Sequence, residues 1–156
     1  MRSYDYIEIR VPAKAQYVGV ARLTISGLAS RIGFTYDEIE DLKIASSEAI
    51  TNAVQHAYKE GEEGEVVVGC ALFEDKLEIM VADHGKSFDF EETKKRVGPY
   101  NENEEVQFLR EGGLGLYLME TLMDDVKVHH EEGVTVLMTK YLGERGDEDV
   151  ERTISS

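Results

Sequence analysis

The stretch SEAITNAVQHA (residues 47–57) places a carboxylate, a carboxamide and an imidazole at intervals of four residues. These side chains belong to Glu48, Asn52 and His56, and the residues between them are mostly small or apolar. Residues four and eight positions apart lie along one edge of an α-helix, so the three polar groups form a stripe. The stripe either faces solvent or lines a pocket, because a buried ionised carboxylate needs a partner or a chemical function.

The pocket alternative has a definite chemistry. A carboxylate at Glu48 can act as a general base, and the side chain of Asn52 offers a neutral oxygen ligand. Mg²⁺ accepts oxygen ligands and usually keeps several waters, so one carboxamide together with phosphate oxygens can hold it. His56 receives no functional assignment and is interpreted as a helix-face histidine whose hydrogen bonds are satisfied.

Composition limits the classes of function. The 156 residues are 42% apolar, and this length and composition predict one folded domain. The net charge is -15. So acidic a chain is not expected to bind nucleic acid directly or an anionic membrane surface. An anionic ligand would have to be held by local devices, namely a divalent cation and helix N-terminal amides.

The single cysteine, Cys70, lies in an apolar run and is interpreted as a buried, inert thiol, which fits a reducing cytoplasm. The chain opens without a secretory apolar region, and no apolar stretch reaches the ~20 residues needed to cross a bilayer. We therefore expect a soluble, cytoplasmic protein.

Local patterns predict the order of secondary structure. Alternating apolar residues predict strands, helical spacing predicts helices, and Gly33, a capping box at Thr35–Glu38 and the pair Glu74-Asp75 mark boundaries. The predicted elements are a strand at 4–12, helices at 13–31 and 35–58, two hairpin strands within 65–83, an irregular segment at 84–113, a helix at 114–124, and a second hairpin at 125–142.

This order predicts an α+β fold, a two-layer sandwich in which a mostly antiparallel mixed sheet is covered on one face by about three helices. Residues 1–142 are expected to form a single domain. Residues 143–156 are polar and are expected to form a flexible tail.

Two further motifs point to a nucleotide. The run IMVADHG (79–85) ends a β-rich segment with Asp83 and Gly85, where a ligand-contacting carboxylate is common. EGGLGL (111–116) places three glycines at the start of a helix, where unscreened amides and the helix dipole favour an anion. Neither a Walker loop nor a dinucleotide fingerprint occurs in the sequence.

Together these motifs resemble the nucleotide-binding domain shared by gyrase, Hsp90, histidine kinases and MutL. In that domain a helix with ExxxNxxxH/A is followed by DxGxG, a mobile lid and a glycine cluster. More narrowly, the chain resembles the bacterial anti-sigma-factor serine kinases over residues 4–142. The resemblance rests on YDEIEDLKIASSEAITNAVQHAYKE (36–60), EGGLGLYLMETLMDDV (111–126) and GVTVLMTKYL (133–142).

The resemblance implies an ATP site with a histidine-kinase-like ATPase fold. Asn52 would hold Mg²⁺ against the triphosphate, and Asp83 would accept a hydrogen bond from the exocyclic amine of adenine, with Gly85 admitting the base. Gly113 and Gly115 would donate backbone amides to the phosphates, while residues from about 86 to 111 close over them. The remaining cofactor-binding positions are Leu114, Leu116 and Thr135.

The resemblance further implies an anti-sigma factor that is also an ATP-dependent protein-serine kinase. Such a protein sequesters a stress-response sigma factor of the sigma-B type and phosphorylates a serine of its anti-anti-sigma antagonist. Glu48 would be the general base that removes the seryl proton. Homodimers would form through the N-terminal strand and helix, and Arg22 would contact the sigma factor.

One departure from the family pattern keeps alternatives open. The second glycine of DxGxG is replaced by Ser87, in DHGKS. A non-catalytic ATP-binding anti-sigma module therefore stays possible, and so, less strongly, does a stand-alone ATPase of the same superfamily.

Overall fold

The computed structural model of the protein describes residues 4–59, 64–83, 89–96, 114–130 and 134–142. Its elements follow the predicted order, with one helix added in the segment that was expected to be irregular. The elements are β1 (Asp5–Pro12), a 3₁₀ turn (Ala15–Tyr17), α1 (Val18–Ile32), α2 (Tyr36–Lys59), β2 (Glu65–Leu72), β3 (Lys76–Ala82), α3 (Phe90–Arg96), α4 (Leu114–Leu122), β4 (Asp125–His130) and β5 (Val134–Tyr141).

The five described strands form one sheet in the order β1-β2-β3-β5-β4. Every neighbouring pair in it is antiparallel. Both predicted hairpins are present, as β2–β3 and β4–β5, and the first turns at Glu74 and Asp75. The predicted α+β class is confirmed, and the sheet is antiparallel throughout the described strands rather than mixed.

α1 ends and α2 begins where the sequence places its boundary signals, whereas α1 begins at Val18, after the 3₁₀ turn, rather than at residue 13. α1 stops at Gly33, whose φ of 113° is the left-handed conformation that glycine adopts without strain. At the start of α2, Thr35 N donates to Glu38 Oε1 at 2.8 Å, and Glu38 N donates to Thr35 Oγ1 at 3.3 Å. These reciprocal bonds satisfy amides that have no acceptor within the helix, as a capping box requires.

Helices α1, α2 and α4 cover one face of the sheet, and α2 lies between the other two. The core is built where their apolar sides meet alternate residues of the strands. Its largest fully buried side chains include Ile25, Leu42, Ile50, Leu77, Ile79, Met119 and Met138. Because α2 is central, one of its edges runs beside α4, and that edge carries the polar stripe. Among the described helices, none has both the length and the hydropathy needed to cross a lipid bilayer.

The added helix, α3, packs on the opposite face of the sheet. Its Phe90 is buried against Met80 and Leu137, and Lys94 Nζ lies 2.7 Å from Glu78 Oε1. The sequence pattern did not predict α3 because it has seven residues, of which Phe90 alone is apolar, so no helical periodicity can develop. Residues 143–156, predicted to be a flexible tail, lie outside the described residues.

Cys70 lies on β2 within the core, and its burial raises the pKa of the thiol to about 12. Since the thiolate is the reactive form, we expect no reaction of the native protein with a thiol reagent such as DTNB at about pH 8. Full reaction is expected after unfolding in guanidinium chloride. Modification of the native protein at the rate of free cysteine would contradict this burial.

Candidate functional site

The stripe on α2 turns inward. Asn52 is only 4% exposed, and Glu48 and His56 are partly buried. The three side chains meet two other parts of the chain, the first turn of α4 and the residue that follows β3. The sequence left open whether the stripe faces solvent or lines a pocket. In the structure it lies between α2, α4 and the end of β3 rather than facing bulk solvent.

Gly115, in the first turn of α4, lies directly against two of these side chains. A Cβ atom at Gly115 would be 2.6 Å from Glu48 Oε1 and 3.1 Å from Asn52 Nδ2. A side chain at this position would displace the Glu48 carboxylate, so glycine is what allows that carboxylate to lie against the first turn of α4. We call this group of three residues the Glu48–Asn52–Gly115 cluster.

The cluster lies at the N-terminal end of α4, which begins at Leu114. The amides of a first helical turn have no acceptor within the helix, and the helix dipole places partial positive charge there. Leu116, in the same turn, is 5% exposed and anchors the turn in the core. The turn can therefore present amides to an anion while its own position is fixed by packing.

Asn52 is the most unusual member of the cluster. Among the described residues, neither its Oδ1 nor its Nδ2 has a hydrogen-bond partner, although both atoms are buried. Burying a polar group without a partner costs roughly 1–3 kcal/mol, so such groups are rare unless a ligand satisfies them. A carboxamide oxygen is a ligand that Mg²⁺ accepts together with phosphate oxygens and waters. The residues present thus fit a magnesium-bound phosphate.

Asp83 is fixed at the end of β3 by backbone bonds to β5. Its N–H donates to Val134 O at 3.2 Å, and its Oδ1 accepts from Val134 N at 2.9 Å. The other carboxylate oxygen, Oδ2, contacts His56 Nδ1. The side chain is 3% exposed, so this carboxylate is a buried acceptor with a set orientation.

The edge of α2 therefore joins two chemically different groups. Glu48 and Asn52 meet the amide-rich end of α4. His56, about 12 Å from Glu48 along the helix axis, meets Asp83. The sequence reading of His56 as a satisfied histidine did not identify this partner. The spacing did indicate that His56 lies on the same edge of α2 as the site, because it extends the Glu48–Asn52 row by one more helical turn.

Two of the predicted site residues lie apart from the polar edge of α2. Thr135 pairs with Ala82 across the sheet and alternates with Val134 and Val136, which pack in the helix-side core. Its side chain is therefore on the opposite face of the sheet from Asp83. Arg22 is exposed on α1. Gly85, Ser87 and Gly113 lie outside the described residues.

Comparison with known proteins identifies the family of the chain. Residues 11–140 match the histidine kinase-like ATPase domain family. The chain is 64% identical over 146 residues to the serine-protein kinase RsbW of Bacillus subtilis (strain 168), covering 93% of this chain and 91% of the relative. It is 59% identical over 144 residues to the serine-protein kinase RsbW of Oceanobacillus iheyensis, covering 92% and 91%.

A solved structure gives independent support for the fold. The crystal structure of the RsbU and RsbW domains of a Mycobacterium tuberculosis protein superposes with a TM-score of 0.60 at 22% sequence identity. The match covers 87% of this chain and 31% of that longer chain. With its fold, its sequence and its family match in agreement, the chain belongs to the RsbW serine-protein kinases of the histidine kinase-like ATPase family.

Proposed function

We propose that the protein is an anti-sigma factor that also uses ATP to phosphorylate a serine of its anti-anti-sigma antagonist. The observation that carries the proposal is the buried carboxamide of Asn52, which has no partner among the described residues and lies beside Glu48 and Gly115. Identity above 60% to a serine-protein kinase over more than 90% of the chain supports the same activity.

The proposed ATP site runs along the edge of α2. The adenine base of ATP is proposed to bind at Asp83, with Gly85 admitting it, and the phosphates are proposed to bind at the first turn of α4. Asn52 Oδ1 would hold Mg²⁺, which would neutralise part of the charge on the phosphates. The amides at the phosphates come from Gly113, Leu114, Gly115 and Leu116. Thr135 is left out of the site, because its side chain is on the other face of the sheet.

Glu48 is the proposed general base. Its Oε1 lies over Gly115, at the end of α4 where the phosphates are proposed to be held. A seryl hydroxyl that approaches the terminal phosphate would therefore come within reach of this carboxylate. Glu48 would accept the hydroxyl proton as the seryl oxygen attacks the γ-phosphorus and the bond from that phosphorus to the leaving ADP breaks, while the first-turn amides of α4 stabilise the charge on the transferred group.

The proposed protein partners are a sigma factor of the sigma-B type, the anti-anti-sigma substrate and a second copy of the chain. Arg22 is the proposed sigma contact. It is exposed on α1 between Val20 and Leu23, which are 52% and 68% exposed. Large apolar side chains left in solvent on the same helix are typical of a protein-binding surface.

Radiolabelled ATP separates the candidate activities. We expect incubation with γ-labelled ATP, Mg²⁺ and the anti-anti-sigma protein of the same organism to place label on a serine of that protein. Label released only as inorganic phosphate would instead indicate a stand-alone ATPase. No turnover, together with binding of a sigma factor, would indicate the non-catalytic module that Ser87 in DHGKS leaves open.

Copurification tests the proposed binding of a sigma factor. Pull-down from cells, followed by mass spectrometry, is expected to recover a sigma factor with the native protein. Arg22→Ala should recover less of that sigma factor while phosphorylating the anti-anti-sigma protein normally. Equal recovery by both proteins would remove Arg22 from the proposed surface.

A further inference from the structure

His56 is the member of the α2 stripe to which the proposed phosphoryl transfer gives no task. It lies two helical turns from Glu48, and its ring nitrogen Nδ1 contacts Asp83 Oδ2. The histidine side chain is 18% exposed and the aspartate side chain 3%. The contact is therefore mostly shielded from water, and it reaches the carboxylate to which the nucleobase is assigned.

The hydrogen-bonding chemistry fixes the direction of this contact. Asp83 Oδ1 already accepts from the backbone N–H of Val134 at 2.9 Å, which favours a carboxylate that acts only as an acceptor. His56 Nδ1 must then carry a proton and donate it to Oδ2. Each carboxylate oxygen can accept more than one hydrogen bond, so this clamp leaves capacity for a donor on a ligand.

The two donors come from different elements and hold different oxygens. Val134 is on β5 and His56 is on α2, so rotation of the Asp83 carboxyl group would break at least one of the two bonds. Without the histidine, the buried carboxylate would lose the donor that α2 supplies to Oδ2. The carboxyl group could then rotate or recruit water, and its acceptor oxygens would no longer have a set orientation toward a ligand.

We propose that His56 is a positioning residue for nucleobase recognition, holding the Asp83 carboxylate as an oriented acceptor for an exocyclic amino group. The inference rests on the proposed function, since it takes Asp83 as the group that reads adenine. It adds that the preference for a nucleobase with an exocyclic amino group depends on His56, which need not touch the nucleotide.

The readout is the ratio of two affinities measured by calorimetry. One ligand is ATP, and the other is purine riboside triphosphate, which carries hydrogen in place of the 6-amino group. A hydrogen bond to a charged acceptor should favour ATP by about 10- to 100-fold in the native protein. A merely structural role of His56 would weaken both ligands alike and leave this ratio unchanged.

We expect His56→Leu to reduce the preference for ATP to about threefold or less, mainly through weaker ATP binding. His56→Asn should keep most of the preference, because its amide nitrogen can replace Nδ1 as donor. His56→Gln, whose amide reaches the position of Nε2, should lose it. The matched control is Gln55→Leu, an exposed neighbour on α2, which should bind both ligands as the native protein does.

The outcomes separate the inference from the function on which it rests. If the native protein shows no preference for ATP over the analogue, the nucleobase contact of Asp83 is wrong, and the inference falls with it. If the native protein has the preference and His56→Leu keeps it in full, only the positioning role is overturned. Should His56→Leu fail to fold, the comparison of His56→Asn with His56→Gln decides, and equal ratios would overturn the role.

Discussion

Glu48→Gln is expected to bind ATP with near-native affinity and to phosphorylate the anti-anti-sigma protein at a rate about 10²- to 10⁴-fold lower. The carboxamide has almost the same size as the carboxylate, so the contact with Gly115 should persist. It cannot accept a proton at neutral pH, so the seryl hydroxyl would lose its base. Calorimetry with ATP and single-turnover phosphorylation measure the two quantities separately.

A matched control lies on the same helix. Glu40→Gln changes another α2 carboxylate, which is paired with Lys43 at 3.3 Å and lies two turns before Glu48. It should leave both ATP binding and transfer unchanged, because surface ion pairs contribute little. Transfer at the native rate by Glu48→Gln would show that another group, or no group, removes the proton.

Gly115→Ala should reduce serine phosphorylation by at least about 100-fold, since displacements near 1 Å are enough for losses of this size. The added Cβ would be 2.6 Å from Glu48 Oε1 and 3.1 Å from Asn52 Nδ2. The Glu48 carboxylate must move, so the proposed base would be displaced from the phosphate end of α4. This loss is expected even though alanine favours a helix over glycine by about 1 kcal/mol.

Gly27→Ala provides the control for the helix propensity itself. Gly27 lies within α1, and a Cβ there would meet no atom within 4 Å. Thermal or denaturant unfolding should therefore show a gain of up to about 1 kcal/mol with unchanged phosphorylation. If Gly115→Ala behaved in the same way as Gly27→Ala, the close approach of α4 to Glu48 would have no functional meaning.

The parts of the fold that the sequence predicted correctly are those with local signals. The capping box Thr35–Glu38, the glycine stop at Gly33 and the turn at Glu74-Asp75 depend on residues adjacent in the chain. Helical spacing likewise put Glu48 and Asn52 on one edge of α2, and the structure places both against Gly115. Short-range geometry was sufficient for each of these.

The remainder depends on tertiary packing. His56 and Asp83 are 27 positions apart, and their contact requires the register of α2 over β3. The donation from Val134 and the face on which Thr135 points follow from the pairing of β3 with β5, which no local pattern specifies. The family resemblance supplied candidate site residues, but it did not supply the contact between His56 and Asp83.

A crystal structure of the protein with Mg²⁺ and a non-hydrolysable ATP analogue would test most directly whether the edge of α2 forms the wall of a nucleotide site. We expect Asn52 Oδ1 about 2.1 Å from the metal, the phosphates at the first turn of α4, and the adenine amine donating to Asp83. An analogue bound elsewhere, with Asn52 and Gly115 remote from its phosphates, would contradict the proposed site.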